Sequence, residues 1–216
     1  MKKYSVILFD LDGTLTDPAE GITNSITYAL KKFGINVQDK KELYKFIGPP
    51  LKDSYQKYYG FTPKMADDGI TYFREYFESY GWKENNLVDG VPEMLEELKT
   101  KGKRLMMATS KPEKFAKMIA EHFGIAKYFE FIGGATLDEK RCDKAEVINY
   151  VLKSCEVTDK QSVLMIGDRK HDVIGAKKVG IDSMGVLFGY GSREELEKAG
   201  VTMIAENVKN VVELIK

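Results

Sequence analysis

Apolar positions along this chain follow two periods. Val6-Ile7-Leu8-Phe9 is an unbroken apolar run, the pattern of a strand buried on both faces. Similar runs recur after residue 100, each followed by apolar residues at helical spacing. Lys103–Thr109, centred on Leu105-Met106-Met107-Ala108, reads as a strand. Pro112 opens a helix carrying Phe115, Met118, Ile119 and Phe123, closed by Gly124. Phe129–Gly133 predicts a short strand, and Asp143–Ser154 a helix with Val147, Ile148, Val151 and Leu152 on one face. Val163–Ile166 is a further apolar strand, and the helix Lys170–Val179 ends at Gly180. Met184–Leu187 reads as a strand, and Ser192-x-x-Glu195 is a capping box for the next helix. Met203-Ile204 and Val208–Ile215 finish the chain. This alternation implies the α/β class, with a Rossmann-like, mostly parallel sheet and helices on both faces.

Residues 17–86 differ. Ile22, Ile26, Ala29, Leu30 and Phe33 keep helical spacing, as do Tyr72, Phe73, Tyr76, Phe77 and Tyr80, and no strand is expected. A helical insert of about four helices is therefore predicted within the sheet domain. The domains expected are 1–16 with 87–216, and 17–86.

Carboxylates stand where the strands end. Asp10-Leu11-Asp12-Gly13 follows the first strand, and Gly167-Asp168-x-x-x-Asp172 follows another. Ligand sites of open α/β sheets lie off the carboxyl ends of strands. Alternation along a strand lets Asp10 and Asp12 begin on one face. Asp168 and Asp172 are four apart and neighbour each other at a helix start. Thr109-Ser110 closes another strand, and Lys144 heads a helix. Each of these alone has a plain structural reading, such as a turn acid, a helix cap or a solvated lysine. Together they suit phosphoryl transfer through an aspartyl-phosphate. A carboxylate attacking phosphorus needs a cation against charge repulsion, and oxygen-rich acids fit Mg²⁺. A second acid protonates the leaving oxygen and then activates water.

These four motifs resemble those of the haloacid dehalogenase-like hydrolases, in their phosphatase branch with a helical cap. The resemblance covers the whole chain and makes 17–86 the cap. It implies Asp10 as nucleophile and Asp12 as general acid/base. It implies that Thr109, the Ser110 N–H and Lys144 bind phosphate. It implies Mg²⁺ on the Asp10 carboxylate, the Asp12 main-chain carbonyl and Asp168, supported by Asp172. Asp12 itself favours phosphate over halide, because dehalogenases of the superfamily lack the second acid of the first motif. Many relatives carry Lys-Pro at the third motif, where this chain has Arg141-Cys142-Asp143-Lys144, with Lys140 nearby. Lys144 is chosen because it heads the helix. The run 134–141, Gly167–Val173 and Gly189-Tyr190-Gly191-Ser192 resemble a bacterial subgroup described as phosphoglycolate phosphatase-like or 5′-nucleotidase-like. Gly48, Pro49 and Pro50, a rigid break between cap helices, and Arg141 are the candidates for substrate specificity.

Composition narrows the partners. Lys+Arg and Asp+Glu are both 33 in 216 residues, so the formal net charge is zero. No basic excess suggests nucleic acid, and no apolar run suggests a membrane. Cys142 and Cys155 make no ligand pattern and no disulfide framework, which points to the cytoplasm. The expected partner is a small phosphorylated metabolite, and the chain a monomer or weak homo-oligomer. Two rivals stand beside the phosphatase: a phosphomutase using the same aspartyl-phosphate, and a phosphate-sensing binding protein. No Gly-x-x-x-x-Gly-Lys-Ser/Thr stretch supports a P-loop kinase.

Overall fold

The computed structural model describes residues 3–138 and 140–215, so Glu139 of the run 134–141 lies outside the described residues. Two compact units are present, Met1–Asp17 with Leu87–Lys216, and Pro18–Asn86. β1 (Val6–Phe9) leads to a short β2 (Thr16–Asp17). The second unit carries α1 (Ala19–Lys32), a 3-10 segment (Lys40–Phe46), α2 (Leu51–Tyr59), α3 (Pro63–Tyr76) and a π turn (Phe77–Gly81). β3 (Asn86–Leu87) spans the return to the first unit, followed by α4 (Val91–Thr100), β4 (Arg104–Pro112) and α5 (Glu113–His122). Then come β5 (Phe131–Ala135), α6 (Lys144–Ser154), β6 (Val163–Gly167) and α7 (Lys170–Val179). β7 (Asp182–Val186), α8 (Arg193–Ala199), β8 (Met203–Ala205) and α9 (Val208–Leu214) complete it.

Six strands form one sheet in the order β5-β4-β1-β6-β7-β8, with neighbours parallel. Leu8 pairs with Met106 on one side and Met165 on the other. Val6, Leu8, Met106, Ala108, Val163 and Met165 share a face with Val147, Ile148 and Val151 of α6 and Ala176 and Val179 of α7. The alternate residues Ile7, Phe9, Leu105, Met107, Leu164 and Ile166 are also fully buried. Both faces are covered, which is why the runs are continuously apolar. Each such side chain contributes about 1.5–3 kcal/mol on burial.

The winding creates the site. From β1 the chain steps to β4 and outward to β5, then returns to β6 on the opposite flank of β1. The winding reverses between β1 and β6, and ligands of such sheets bind at the carboxyl ends beside that reversal.

Several boundaries differ from expectation. β4 continues to Pro112 and loses register with β5 between Ala108 and Pro112. β5 begins at Phe131 because a 3-10 turn, Ala126–Tyr128, occupies the chain after Gly124. β2 and β3 pair as a two-stranded ribbon where no strand was expected, each too short to leave a periodic signal. In the second unit, part of the expected helix is 3-10 or π. Its aromatic stripes are mostly core: Tyr55, Phe61, Phe73 and Phe77 are buried, and Tyr55 stacks on Phe61 at 5.5 Å. Tyr80 is exposed. Among the described residues, no helix is long and apolar enough to cross a membrane.

Within that unit, α1 meets the π turn through bare backbone. A Cβ on Gly21 would lie 1.9 Å from the Gly81 carbonyl oxygen, and the Gly21 N–H donates to Glu84 O at 2.8 Å. Gly21→Ala therefore forces the two segments apart. Thermal unfolding should show a destabilisation of roughly 1–3 kcal/mol; an unchanged Tm contradicts this packing.

Candidate active site

β1 delivers Asp10. Its N–H donates to Ile166 O at 2.9 Å, extending the β1–β6 ladder by one residue. The chain then folds over tightly. Leu15 and Thr16 both donate to Leu11 O, at 2.8 and 3.0 Å, and Gly13 donates to Thr16 O at 2.7 Å. Gly13 has φ +82°, and a Cβ there would lie 2.3 Å from Asp168 Oδ2. Glycine is needed twice, for the left-handed turn and for the close approach.

β6 delivers Asp168, and the first turn of α7 presents Asp172. Asp168 Oδ2 accepts the Tyr190 N–H at 2.7 Å, and Asp172 Oδ2 accepts the Arg169 N–H at 3.1 Å. Backbone walls hold both acids. Cβ atoms on Gly189 and Gly167 would lie 2.4 and 2.1 Å from the Asp168 Cβ and the Asp172 Cγ respectively.

α6 delivers Lys144. Asp143 caps the helix, accepting Ala145 N–H at 2.9 Å, while Glu146 reaches back as a capping box. The fully buried lysine stem runs past Gly175 of α7, where a Cβ would lie 2.7 Å from Lys144 Cγ. Its ammonium donates to Ala108 O at 3.1 Å. It stands 3.0 Å from Asp10 Oδ1 and 2.7 Å from Asp172 Oδ1, ion-paired to both. Lys140 is instead exposed and paired with Asp138.

Asp10, Asp168 and Asp172 each turn one carboxylate oxygen into the same space, all within 4.8 Å of one another. Asp168 Oδ1 is buried without a hydrogen bond. An all-oxygen donor set with orphaned lone pairs fits a hard divalent cation. Asp12, in the turn, pairs with Lys111 Nζ at 2.7 Å. Four carboxylates thus face two ammonium groups, a charge imbalance that a bound dication would offset.

Thr109 lies fully buried within β4, three residues before its end, its Oγ1 accepting Lys111 N–H at 3.2 Å, and Ser110 is half-buried beside it. Arg141 is engaged elsewhere. It donates to Gly134 O at 3.0 Å, pairs with Glu113 at 3.1 Å and stacks on Tyr150. Gly48, Pro49 and Pro50 stand in the second unit between the 3-10 segment and α2. Sequence reasoning missed Lys111, a lysine before a proline with no periodic signal. It also missed Tyr190, whose subgroup motif gave no hint that its N–H holds Asp168.

The family model for haloacid dehalogenase-like hydrolases matches residues 7–186. The chain belongs to that family. Among the curated relatives, a "5′-nucleotidase" of Pseudomonas aeruginosa is 46% identical over 90% of this chain and 87% of its own. A "Tyrosine-protein kinase PtkA" of Mycobacterium tuberculosis is 38% identical over 92% of this chain and 67% of its own. A "Phosphoglycolate phosphatase" of Vibrio cholerae is 29% identical over 100% and 98%. The crystal structure of a predicted phosphatase from Clostridium acetobutylicum matches with a TM-score of 0.95 and 47% identity over 98% of both chains.

Electrostatics in this haloacid dehalogenase-like site follow from burial. Asp168 is pushed up to about 8, by burial first and then by the Asp172 and Asp10 carboxylates. Burial also raises Asp172 and Asp12, against the opposing pull of Lys144 and Lys111 respectively. Burial works against the Lys144 charge, but Asp10 and Asp172 outweigh it and hold the ammonium above its ordinary value. The Lys111–Asp12 pair is buried, so losing one partner costs far more than for an exposed pair such as Lys52–Asp67.

Because folding raises the Asp168 pKa, this group's contribution in the cation-free fold is most favourable in acid and is lost as pH climbs toward 8. In chelator-treated protein, Asp168→Asn should raise stability by on the order of a few kcal/mol at pH 8. That gain should shrink as pH falls toward 4. Denaturant melts at several pH values read this, and a pH-independent difference contradicts it.

Proposed function

We propose that this chain is a Mg²⁺-dependent phosphomonoesterase that works through a phosphorylated Asp10. One observation carries the reading. Three buried acids and one lysine, from three separate stretches of sequence, meet at the reversal point of the sheet, the acids within 4.8 Å of one another and the lysine within ion-pair distance of two of them. Bound at Asp10, Asp168 and the Asp12 carbonyl, with Asp172 in support, Mg²⁺ would offset the negative charge of the phosphoryl oxygens.

The protein's own groups do the rest. The Asp10 carboxylate attacks phosphorus, and the bond from phosphorus to the leaving oxygen breaks. Asp12 gives that oxygen a proton. Asp12, now ionised, takes a proton from water as the water attacks the phosphoryl group on Asp10. Inorganic phosphate leaves and Asp10 is regenerated. The Thr109 hydroxyl and Ser110 N–H hold the phosphoryl oxygens. Lys144 lies against both Asp10 and Asp172, tying the nucleophile to the metal-side acid.

The substrate is a small phosphate monoester. The nucleotidase relative, at 46% identity, favours a nucleoside 5′-monophosphate, with phosphoglycolate second. The relative named as a tyrosine kinase supports a second reading, in which a hydroxyl acceptor replaces water in the second step. A phosphomutase belongs to the same chemistry. The setting is the cytoplasm, where the Cys142 and Cys155 thiols stay reduced.

Phosphate release from a panel of nucleoside monophosphates, 2-phosphoglycolate and hexose phosphates, ranked by kcat/KM, tests this. Asp10→Asn should lower the rate by roughly 10³-fold or more, and chelation of Mg²⁺ should do the same. Wild-type turnover by the Asn variant refutes the nucleophile. Isomerised sugar phosphate in place of free phosphate would instead favour the mutase.

A further inference from the structure

Lys111 has no part in the motifs, yet it is as deeply placed as Lys144. Its side chain is 5% exposed, and that of its partner Asp12 is 14% exposed. It sits two residues beyond Thr109 on β4, where that strand has slipped out of register with β5. Its own N–H is tied to Thr109 Oγ1. From there the ammonium donates to Asp12 Oδ2 at 2.7 Å. The other oxygen, Asp12 Oδ1, is buried with no hydrogen-bond partner. The two oxygens of one carboxylate are thus distinguished.

We infer that Lys111 is a positioning residue for Asp12, fixing Oδ2 so that Oδ1 is the oxygen that gives and takes the proton. This rests on the acid/base reading of Asp12 given above. A carboxylate free to rotate presents either oxygen in many directions. Proton transfer needs one oxygen within about 2.6–3.2 Å of its target, and an error of about 1 Å costs on the order of 10²-fold in rate. The two buried lysines divide the acids between them, Lys144 at Asp10 and Asp172, Lys111 at Asp12. Asp10 needs no protonation to attack, so loss of Lys111 should fall on proton transfer rather than on the attack itself.

The test uses the full chain with Mg²⁺ and three esters: 4-nitrophenyl phosphate, phenyl phosphate and adenosine 5′-monophosphate. Their leaving oxygens need a proton increasingly, in that order. Lys111→Met should leave the rapid first release of 4-nitrophenolate within about threefold of wild type. It should lower kcat/KM for the nucleotide by roughly 10²-fold, steepening the dependence of rate on leaving-group basicity. Lys111→Arg keeps the charge and the donor, and should restore the nucleotide rate to within about tenfold. In an Asp12→Asn background, Lys111→Met should cost little more. Equal losses on all three esters, no loss on any, or a folded Arg variant as impaired as Met would each overturn the inference. The wild-type rates separately read the phosphatase proposal, whereas the ratios of variant to wild type read Lys111.

Discussion

Like charge held in a dry place is the constraint that organises this protein. Asp10, Asp168 and Asp172 lie within 4.8 Å of one another, with Asp12 beside them, at the carboxyl ends of β1 and β6. Two carboxylates about 4 Å apart repel by about 4 kcal/mol at an effective dielectric near 20. Two lysines answer part of that repulsion, and the arrangement leaves room for a dication to answer the rest. The raised pKa of Asp168 expresses the same imbalance: without the cation, a proton is the cheapest positive charge available.

The scaffold around the acids is built to keep them from spreading. The parallel register fixes where β1 and β6 end, and the reversal of winding leaves the space between those ends open to a ligand. The turn after β1 folds over its own Leu11 carbonyl. Glycines at 13, 167 and 189 then serve mainly by lacking a Cβ, since any side chain there would strike Asp168 or Asp172. Rigid backbone, rather than side-chain packing, sets the acid positions, which suits a site that must not relax when its charge changes.

Much of this was legible from the sequence. Continuous apolar runs marked the central strands because both sheet faces are covered, and the acids that follow those runs had to sit at the strand ends. Lys144 could be preferred over Lys140 because it heads the helix; its buried ammonium lies 3.0 Å from Asp10, whereas Lys140 is exposed. What escaped were features with no periodicity. β2 and β3 are two residues each. Lys111 reads as an ordinary lysine before a helix until β4 is seen running past Thr109. Arg141 offered a charge but not its partners, which are Glu113, Gly134 and Tyr150. Pairings of that kind depend on tertiary geometry that local spacing does not encode.

The account's centre is the transfer of a phosphoryl group onto one particular side chain. Quenching the enzyme during turnover, reducing it with borohydride and sequencing the peptides by mass spectrometry tests this directly, because an acyl phosphate is reduced to an alcohol whereas a carboxylate is not. The expected product is homoserine in place of aspartate at position 10 and nowhere else. An enzyme that releases phosphate yet yields unmodified Asp10, or a modified acid elsewhere, contradicts the account.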